Sequence, residues 1–314
     1  MRFETIANGV RVFAPAKVNL YLEVLGLRPD RFHEVETVIQ AISLFDEIEF
    51  HLEDAPGIRL HVLDPDGGAS ALGAGEDNLV VRAARMLEPH RPVDAGRAVG
   101  LGIVLTKRIP MGAGLGGGSS DAAATLLALN RLWGTHRSLA ELQTLAGALG
   151  SDVPFFCAGG AALCFGRGEK VRELAEPVRP WAPRLVLVYP EMHIPTPLIY
   201  KELDRLDGLS VGLTSPGRLT NMPPELIWFG FDSGEFYFNR LESVVRRVFP
   251  GIEGFFSEMA REPFHAVLLS GSGSALYGVC RQPADAELIA ERLRGRISAR
   301  VFVVDPVHRW AAPV

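Results

Sequence analysis

The chain predicts an α+β fold in two domains, and three observations carry that reading. Its 314 residues exceed the size at which one hydrophobic core is comfortable. Candidate strands and helices are intermixed without the strict β-α-β-α rhythm of a doubly wound parallel sheet. A proline-rich stretch from Pro177 to Pro183 reads as a link, which places the domains at residues 1–180 and 181–314.

Taken in order, Arg11 to Leu27 has strand character, and a loop, Arg28 to His33, follows it. Strands are expected near Glu34–Ile42, Asp46–Leu52 and Gly57–Leu63, then a Gly/Ala/Pro loop from Asp64 to Gly75. Asn78 to Glu88 repeats its apolar residues at helical spacing. An apolar strand, Gly102 to Thr106, leads into a glycine-rich loop, and an Ala/Leu-rich helix, Asp121 to Trp133, leads out. Ser138-Leu-Ala-Glu141 is a capping box, each side chain satisfying a free N–H where a helix starts. That helix ends at Gly150. Strands at Ala161–Phe165 and Leu185–Tyr189 and a helix at Pro197–Leu206 come next. Gly208 to Gly234, rich in Gly, Pro, Ser and Asn, reads as a long loop. Helices at Glu235–Val248 and Ile252–Arg261 precede a strand (Ala266–Leu269), the turn Ser270 to Ser274 and a strand (Ala275–Val279). A helix (Ala284–Leu293) and a strand (Ala299–Val304) complete the pattern.

Composition narrows the function. The apolar fraction of 47% and charged fraction of 22% are those of an ordinary globular protein. A net charge of −5 argues against a nucleic-acid or membrane surface. No apolar run approaches a membrane span, and the N-terminus has no signal-peptide core. Cys157, Cys164 and Cys280 form no C-x-x-C pair and read as reduced, buried thiols of a cytoplasmic protein. The histidines show no ligand spacing, so no metal cage is expected. Only Lys17, Lys107, Lys170 and Lys201 are lysines among 32 basic residues, and a rare lysine can mark a place that needs a compact ammonium.

The most informative segment is Pro110-Met-Gly-Ala-Gly-Leu-Gly-Gly-Gly-Ser-Ser120. Glycines between a strand and a helix expose backbone N–H groups beside the positive end of the helix, where an anion gains roughly 0.3–1 kcal/mol. A phosphate chain is the default ligand of such a loop. The Walker pattern fails, because no lysine lies between Met111 and Ser120. The dinucleotide pattern fits Gly112, Gly114 and Gly117, but no acid stands at a strand end some 20 residues on. A purely structural glycine hinge is the bland alternative.

Phosphoryl transfer also needs positive charge and a group to take the acceptor hydroxyl's proton. Lys17 lies in a strand beside Val18 and Leu20, and Asp152 follows a helix end beside Val153-Pro-Phe-Phe156. Both are awkward places for an unpaired charge, and a Lys–Asp pair would suit both. Taken singly, Asp152 would cap a turn and Lys17 would snorkel.

The ordered set changes that balance. Pro15-Ala-Lys-Val-Asn-Leu20, the glycine loop, Gly150-Ser-Asp-Val-Pro154 and Leu269-Ser-Gly-Ser-Gly273 together resemble the GHMP small-molecule kinases. Arg28-Pro-Asp-Arg-Phe-His33, Glu76-Asp-Asn-Leu79 and Ile194-Pro-Thr-Pro-Leu-Ile-Tyr200 are most similar to the branch that phosphorylates a cytidine-diphosphate-linked polyol. The resemblance implies an N-terminal domain of the ribosomal protein S5 type, a ferredoxin-like C-terminal domain and a site between them. It implies ATP and Mg²⁺ as cofactors, a small-molecule acceptor, and a monomer or weak homodimer. ATP would lie on Pro110, Gly112, Gly114, Leu115, Gly116, Gly117, Gly118, Ser119 and Ser120, with adenine near Asn78 and Lys107. Asp152 would be the base and Lys17 its support. Asn19, His33 and Thr196 would hold the substrate, Phe32 and Tyr200 would sandwich its cytosine, and Gly271 and Gly273 would approach its phosphates. Three departures stand out: Arg31-Phe32 replaces the family's Gly-Tyr, Asn239-Arg240 replaces Asn-Asp, and the Gly208–Gly234 stretch matches poorly.

Overall fold

A computed structural model describes residues 1–65, 75–91, 100–175, 183–207, 218–308 and 310. Within it two sheets share the molecule. The first is built on two long strands, β2 (Gly9–Leu27) and β3 (His33–Glu53), paired antiparallel along most of their length. β1 (Arg2–Ile6) pairs with β2. β4 (Ile58–Leu63) pairs parallel with β5 (Gly100–Thr106). β3 changes partners along its course, pairing with β6 (Ala161–Gly166) through residues 35–40 and with β5 through residues 47–53. β7 (Lys170–Glu173) extends the sheet from β6. The second sheet runs β10 (Phe264–Leu269), β11 (Leu276–Cys280), β8 (Leu185–Tyr189), β12 (Arg300–Val304), all antiparallel, which is the ferredoxin-like order expected.

Helices cover one face of each sheet. α1 (Leu79–Leu87), α2 (Gly117–Leu132), α3 (Leu139–Leu149) and the one-turn α4 (Val153–Ala158) lie with the first sheet around Phe50, Leu126 and Phe155. α5 (Thr196–Asp207), α7 (Leu241–Val248), α8 (Glu253–Met259) and α9 (Ala286–Arg294) lie with the second, around Val186, Ile199 and Leu293. Between the sheets a third core joins Val18, Leu20 and Val38 to Leu187 and Tyr277, and α6 (Pro224–Ser233) adds Ile227, Trp228 and Phe231. The halves are therefore fused by buried apolar surface at about 25 cal/mol per Å² rather than merely tethered.

Several expectations change. The strands expected at 34–42 and 46–52 are one strand, because the chain between them stays extended while β3 changes partner. The Gly208–Gly234 loop contains α6: Pro223-Pro224 starts a helix, and the apparently scattered aromatics are its buried face. Residues 208–217 of that stretch lie outside the described residues, as do residues 176–182, where the link was expected. The helix expected from Glu235 starts only at Leu241, because Phe238–Asn239 forms β9 against Tyr21 and Leu22. Chain beyond β12 returns to the first sheet, with Ser43 N–H donating to Asp305 O at 2.9 Å and Val307 N–H to Ala41 O at 2.8 Å. Two segments of the C-terminal half thus belong to the N-terminal sheet.

Candidate active site

Lys17 and Asn19 stand two residues apart on β2, hence on one face of the strand. Both are buried, at 4% and 3% exposure. The Lys17 ammonium donates to Asn19 Oδ1 at 2.5 Å, and Asn19 Nδ2 donates to Thr37 Oγ1 at 2.9 Å. Its second neighbour is Asp152 Oδ2, 3.6 Å away. Asp152 sits at the N-terminus of α4 but its side chain caps nothing there, so the carboxylate is free to face the lysine. The bland readings, a capping aspartate and a snorkelling lysine, both fail.

The glycine loop reaches the same place. Gly114 and Gly116 hold φ of +76° and +69°, a region in which a Cβ is costly. Gly116 is also the N-cap of α2, and as a glycine it offers no side chain to satisfy the first turn. Ser120 N–H is bonded back to Gly116 O, which leaves the Gly117, Gly118 and Ser119 amides as the donors of an anion site. A Cβ on Gly116 would stand 3.0 Å from Lys17 Cγ, and Lys17 N–H donates to Leu115 O at 3.0 Å. The lysine and the loop are in contact.

Two cavities meet at this loop. One, about 400 Å³, is lined by Asn78, Lys107, Pro110, Gly112, Leu115, Gly117, Gly118 and Ser119. The other, about 580 Å³, is lined by Lys17, Asn19, Phe32, His33, Asp152, Thr196, Tyr200 and Gly271. Gly114 and Gly116 belong to both. Segments far apart in sequence are thus gathered into the two places the sequence assigned them. Ser120 and Gly273 are the exceptions. Ser120 is wholly buried, its hydroxyl without a partner among the described residues. Gly273 makes room for the Leu269 side chain, and Ser272 takes the wall position, with Thr196 Oγ1 2.7 Å from its hydroxyl.

Some of these side chains are engaged in ways the sequence did not disclose. The Lys107 ammonium is held by Asp46 and, at 2.8 Å, by Asp121 Oδ2. Burial works against its charge, but Asp121 and Asp46 together hold the ammonium above its ordinary range. Burial, with Asp46 nearby, pushes the Asp121 carboxyl upward. Asp46 Oδ1 also accepts the Arg108 and Ile109 N–H groups at 2.6 and 2.9 Å, so the cluster pins both ends of the glycine loop. Asn78 spends its Oδ1 on capping α1, through Val80 N–H at 3.0 Å. Phe32 is half exposed, with the Arg167 guanidinium 4.7 Å above its ring, and Tyr200 lies 4.7 Å from the His33 ring. Burial, then the Asp152 charge, push the Tyr200 phenol upward.

Comparison with known proteins agrees with the geometry. Residues 78–160 match the family described as GHMP kinases N terminal domain, and residues 225–298 the family described as GHMP kinases C terminal. A 4-diphosphocytidyl-2-C-methyl-D-erythritol kinase of Solibacter usitatus is 43% identical over 297 residues, covering 91% of this chain and 87% of the relative. That of Prochlorococcus marinus is 36% identical over 312 residues, covering 93% and 90%. The crystal structure of a 4-(cytidine 5'-diphospho)-2C-methyl-D-erythritol kinase superposes with a TM-score of 0.73 at 37% identity, over 94% of this chain and 98% of that one. The chain belongs to this kinase family. It is a small-molecule kinase of the GHMP type, and kinases of this type use ATP.

The structure gives two of the three departures a setting. Arg31 keeps the φ of +66° that a glycine would take freely. Arg240 does not line the larger cavity, and its guanidinium donates to Glu23 Oε1 and Oε2 at 2.6 and 2.9 Å. Asn239 anchors the Ser270–Ser274 turn, donating to Leu269 O and Gly271 O, both at 2.8 Å. No helix among the described residues is long and apolar enough to cross a membrane.

Proposed function

We propose that this kinase transfers the γ-phosphoryl group of ATP to the 2-hydroxyl of 4-diphosphocytidyl-2-C-methyl-D-erythritol, in the non-mevalonate route to isoprenoid precursors. The observation that carries the reading is the Lys17–Asp152 pair, 3.6 Å apart in the larger cavity, with Lys17 against Gly116 in the wall shared by the two cavities. ATP on the Gly117–Ser119 amides would present its terminal phosphate to that wall from one side. The acceptor would reach it from the other. Asp152 takes the hydroxyl proton, a role worth typically 10²–10⁴-fold. Lys17 keeps Asp152 oriented and offsets charge on the transferring group. Asn19 fixes the lysine. Phe32 and Tyr200 supply stacking faces for a pyrimidine, and Thr196 and Gly271 line the path of its phosphates.

Magnesium takes hard oxygen ligands, of which substrate phosphates usually supply several and the protein one or two. Asp121 Oδ1, buried in the wall of the ATP cavity without a partner among the described residues, is an oxygen of that kind. With Ser119 it would hold the ion, which supplies charge neutralisation on the phosphates. The enzyme would act in the cytoplasm as a monomer or weak homodimer.

An ATP-consumption assay tests the reading against a panel of cytidine-diphosphate-linked polyols, mevalonate, homoserine and galactose. Turnover confined to the cytidine-bearing polyol, and lost in Asp152→Asn, is the expected result. Turnover of a simple alcohol in preference to it would overturn the assignment.

A further inference from the structure

His33 opens β3 in the N-terminal half, and Asp204 lies on α5 in the C-terminal half. Their side chains meet across the larger cavity, with His33 Nε2 2.7 Å from Asp204 Oδ1. An ionised carboxylate only accepts hydrogen bonds, so the proton on this side of the ring belongs to Nε2. In that tautomer the lone pair of the imidazole lies at Nδ1, and no described residue bonds to it. Tyr200, 4.7 Å away, covers one ring face. The ring is thus fixed in tautomer by Asp204 and in tilt by Tyr200, on a side chain that lines the cavity.

We propose that Asp204 is a positioning residue for base recognition, holding His33 as a hydrogen-bond acceptor so that the cavity selects a pyrimidine with an exocyclic amino group over one with a carbonyl there. The inference rests on the cytidine-substrate reading above and deepens it. Cytosine presents an N–H donor at its 4-position, and uracil presents an oxygen. An acceptor facing an oxygen gains no bond and leaves both lone pairs unpaired, which is the more costly situation for groups withdrawn from water. Asp204 itself does not have to touch the base. Its side chain is 48% exposed, so replacing it removes no core packing.

Calorimetric titration with CMP and with UMP tests this on wild type, Asp204→Asn and Asp204→Ala, with ATP as the control ligand. Wild type should prefer CMP by about tenfold or more. The carboxamide in Asp204→Asn can either donate to or accept from Nε2, and alanine does neither. Both variants should therefore narrow the preference to within about threefold, chiefly by weakening CMP, with ATP affinity unchanged. In turnover, KM for the cytidine substrate should rise while kcat holds. A preference retained in both variants, or an equal loss for CMP and UMP, would overturn the role of Asp204 while leaving the enzyme's substrate class standing. Wild type binding neither nucleotide would overturn the substrate class and the inference with it.

Discussion

Lys17→Met separates charge from shape at the centre of the site. Methionine is unbranched and of similar length, so it can occupy the channel beside Gly116 and leave the glycine loop in place. What disappears is the cation 3.6 Å from Asp152 and the donor to Asn19 Oδ1. At that separation the attraction is about 4–5 kcal/mol for an effective dielectric of 20 and about 1 kcal/mol in bulk water. Asp152 is one-third exposed, so solvent screening brings the useful part to about 2–3 kcal/mol. The lysine's share in kcat is the like-sized interaction with charge on the transferring group, and at 1.36 kcal/mol per tenfold in rate its loss should lower kcat roughly 30–150-fold. ATP should still bind within about threefold of wild type, because the loop amides are untouched. The assay is steady-state kcat on the cytidine substrate, paired with direct titration of ATP. A kcat within threefold of wild type would show that the lysine only fills space. A loss of ATP affinity equal to the loss of kcat would show that it shapes the loop rather than the chemistry.

Three further outcomes follow from the geometry. Gly114→Ala would set a Cβ 2.0 Å from Ser270 O at a φ of +76°, whereas Gly118→Ala meets only Leu79 Cδ1 at 3.6 Å; thermal melting should show a large loss for the first, several kcal/mol, and none for the second. Asp46→Ala strands the Lys107 ammonium with Asp121 alone and unpairs two backbone donors, so denaturant titration should show about 3–5 kcal/mol of destabilisation, less in Asp46→Asn. Burial pushes the Cys157 thiol up to about 12 and the Cys280 thiol up to about 11. These acids keep their protons in the folded state after the unfolded chain has released them near pH 9, so stability should fall as pH rises from 9 toward 11; at pH 8 the folded protein should resist iodoacetamide and the unfolded chain react.

Much of this was legible because the chemistry is written in local segments. The glycine loop, the capping box at Ser138, the strand character of residues 11–27 and the turn at Ser270 are short-range signals, and each lies where its sequence placed it. The Lys17–Asp152 pair was legible in a different way: two charges set among apolar neighbours required a partner, though local pattern could not say that they required each other. Asp46 and Asp204 were hidden. Asp46 sits inside a strand that reads as ordinary alternation, and only the fold shows that it is fully buried against Lys107. Asp204 resembles any exposed carboxylate on a helix until α5 is laid across His33. The α6 helix was lost because two prolines and several glycines read as punctuation, although a proline pair at a helix start costs nothing.

The glycine loop is not the property of one half of the enzyme. Ala275 N–H donates to Ala113 O at 3.0 Å and Ser270 Oγ to Gly114 O at 2.9 Å, both from the turn between β10 and β11, and Tyr277 Oη donates to Asn19 O at 2.7 Å from β11 itself. A clamshell motion that parted the halves along this seam would tear the loop from its stitches and unseat Lys17 with it. At the opposite rim the 28–33 loop faces α5 more lightly, through His33, which meets the Asp204 carboxylate and the Tyr200 ring. Any opening of the cleft is therefore expected at that rim rather than along the seam that holds the glycine loop.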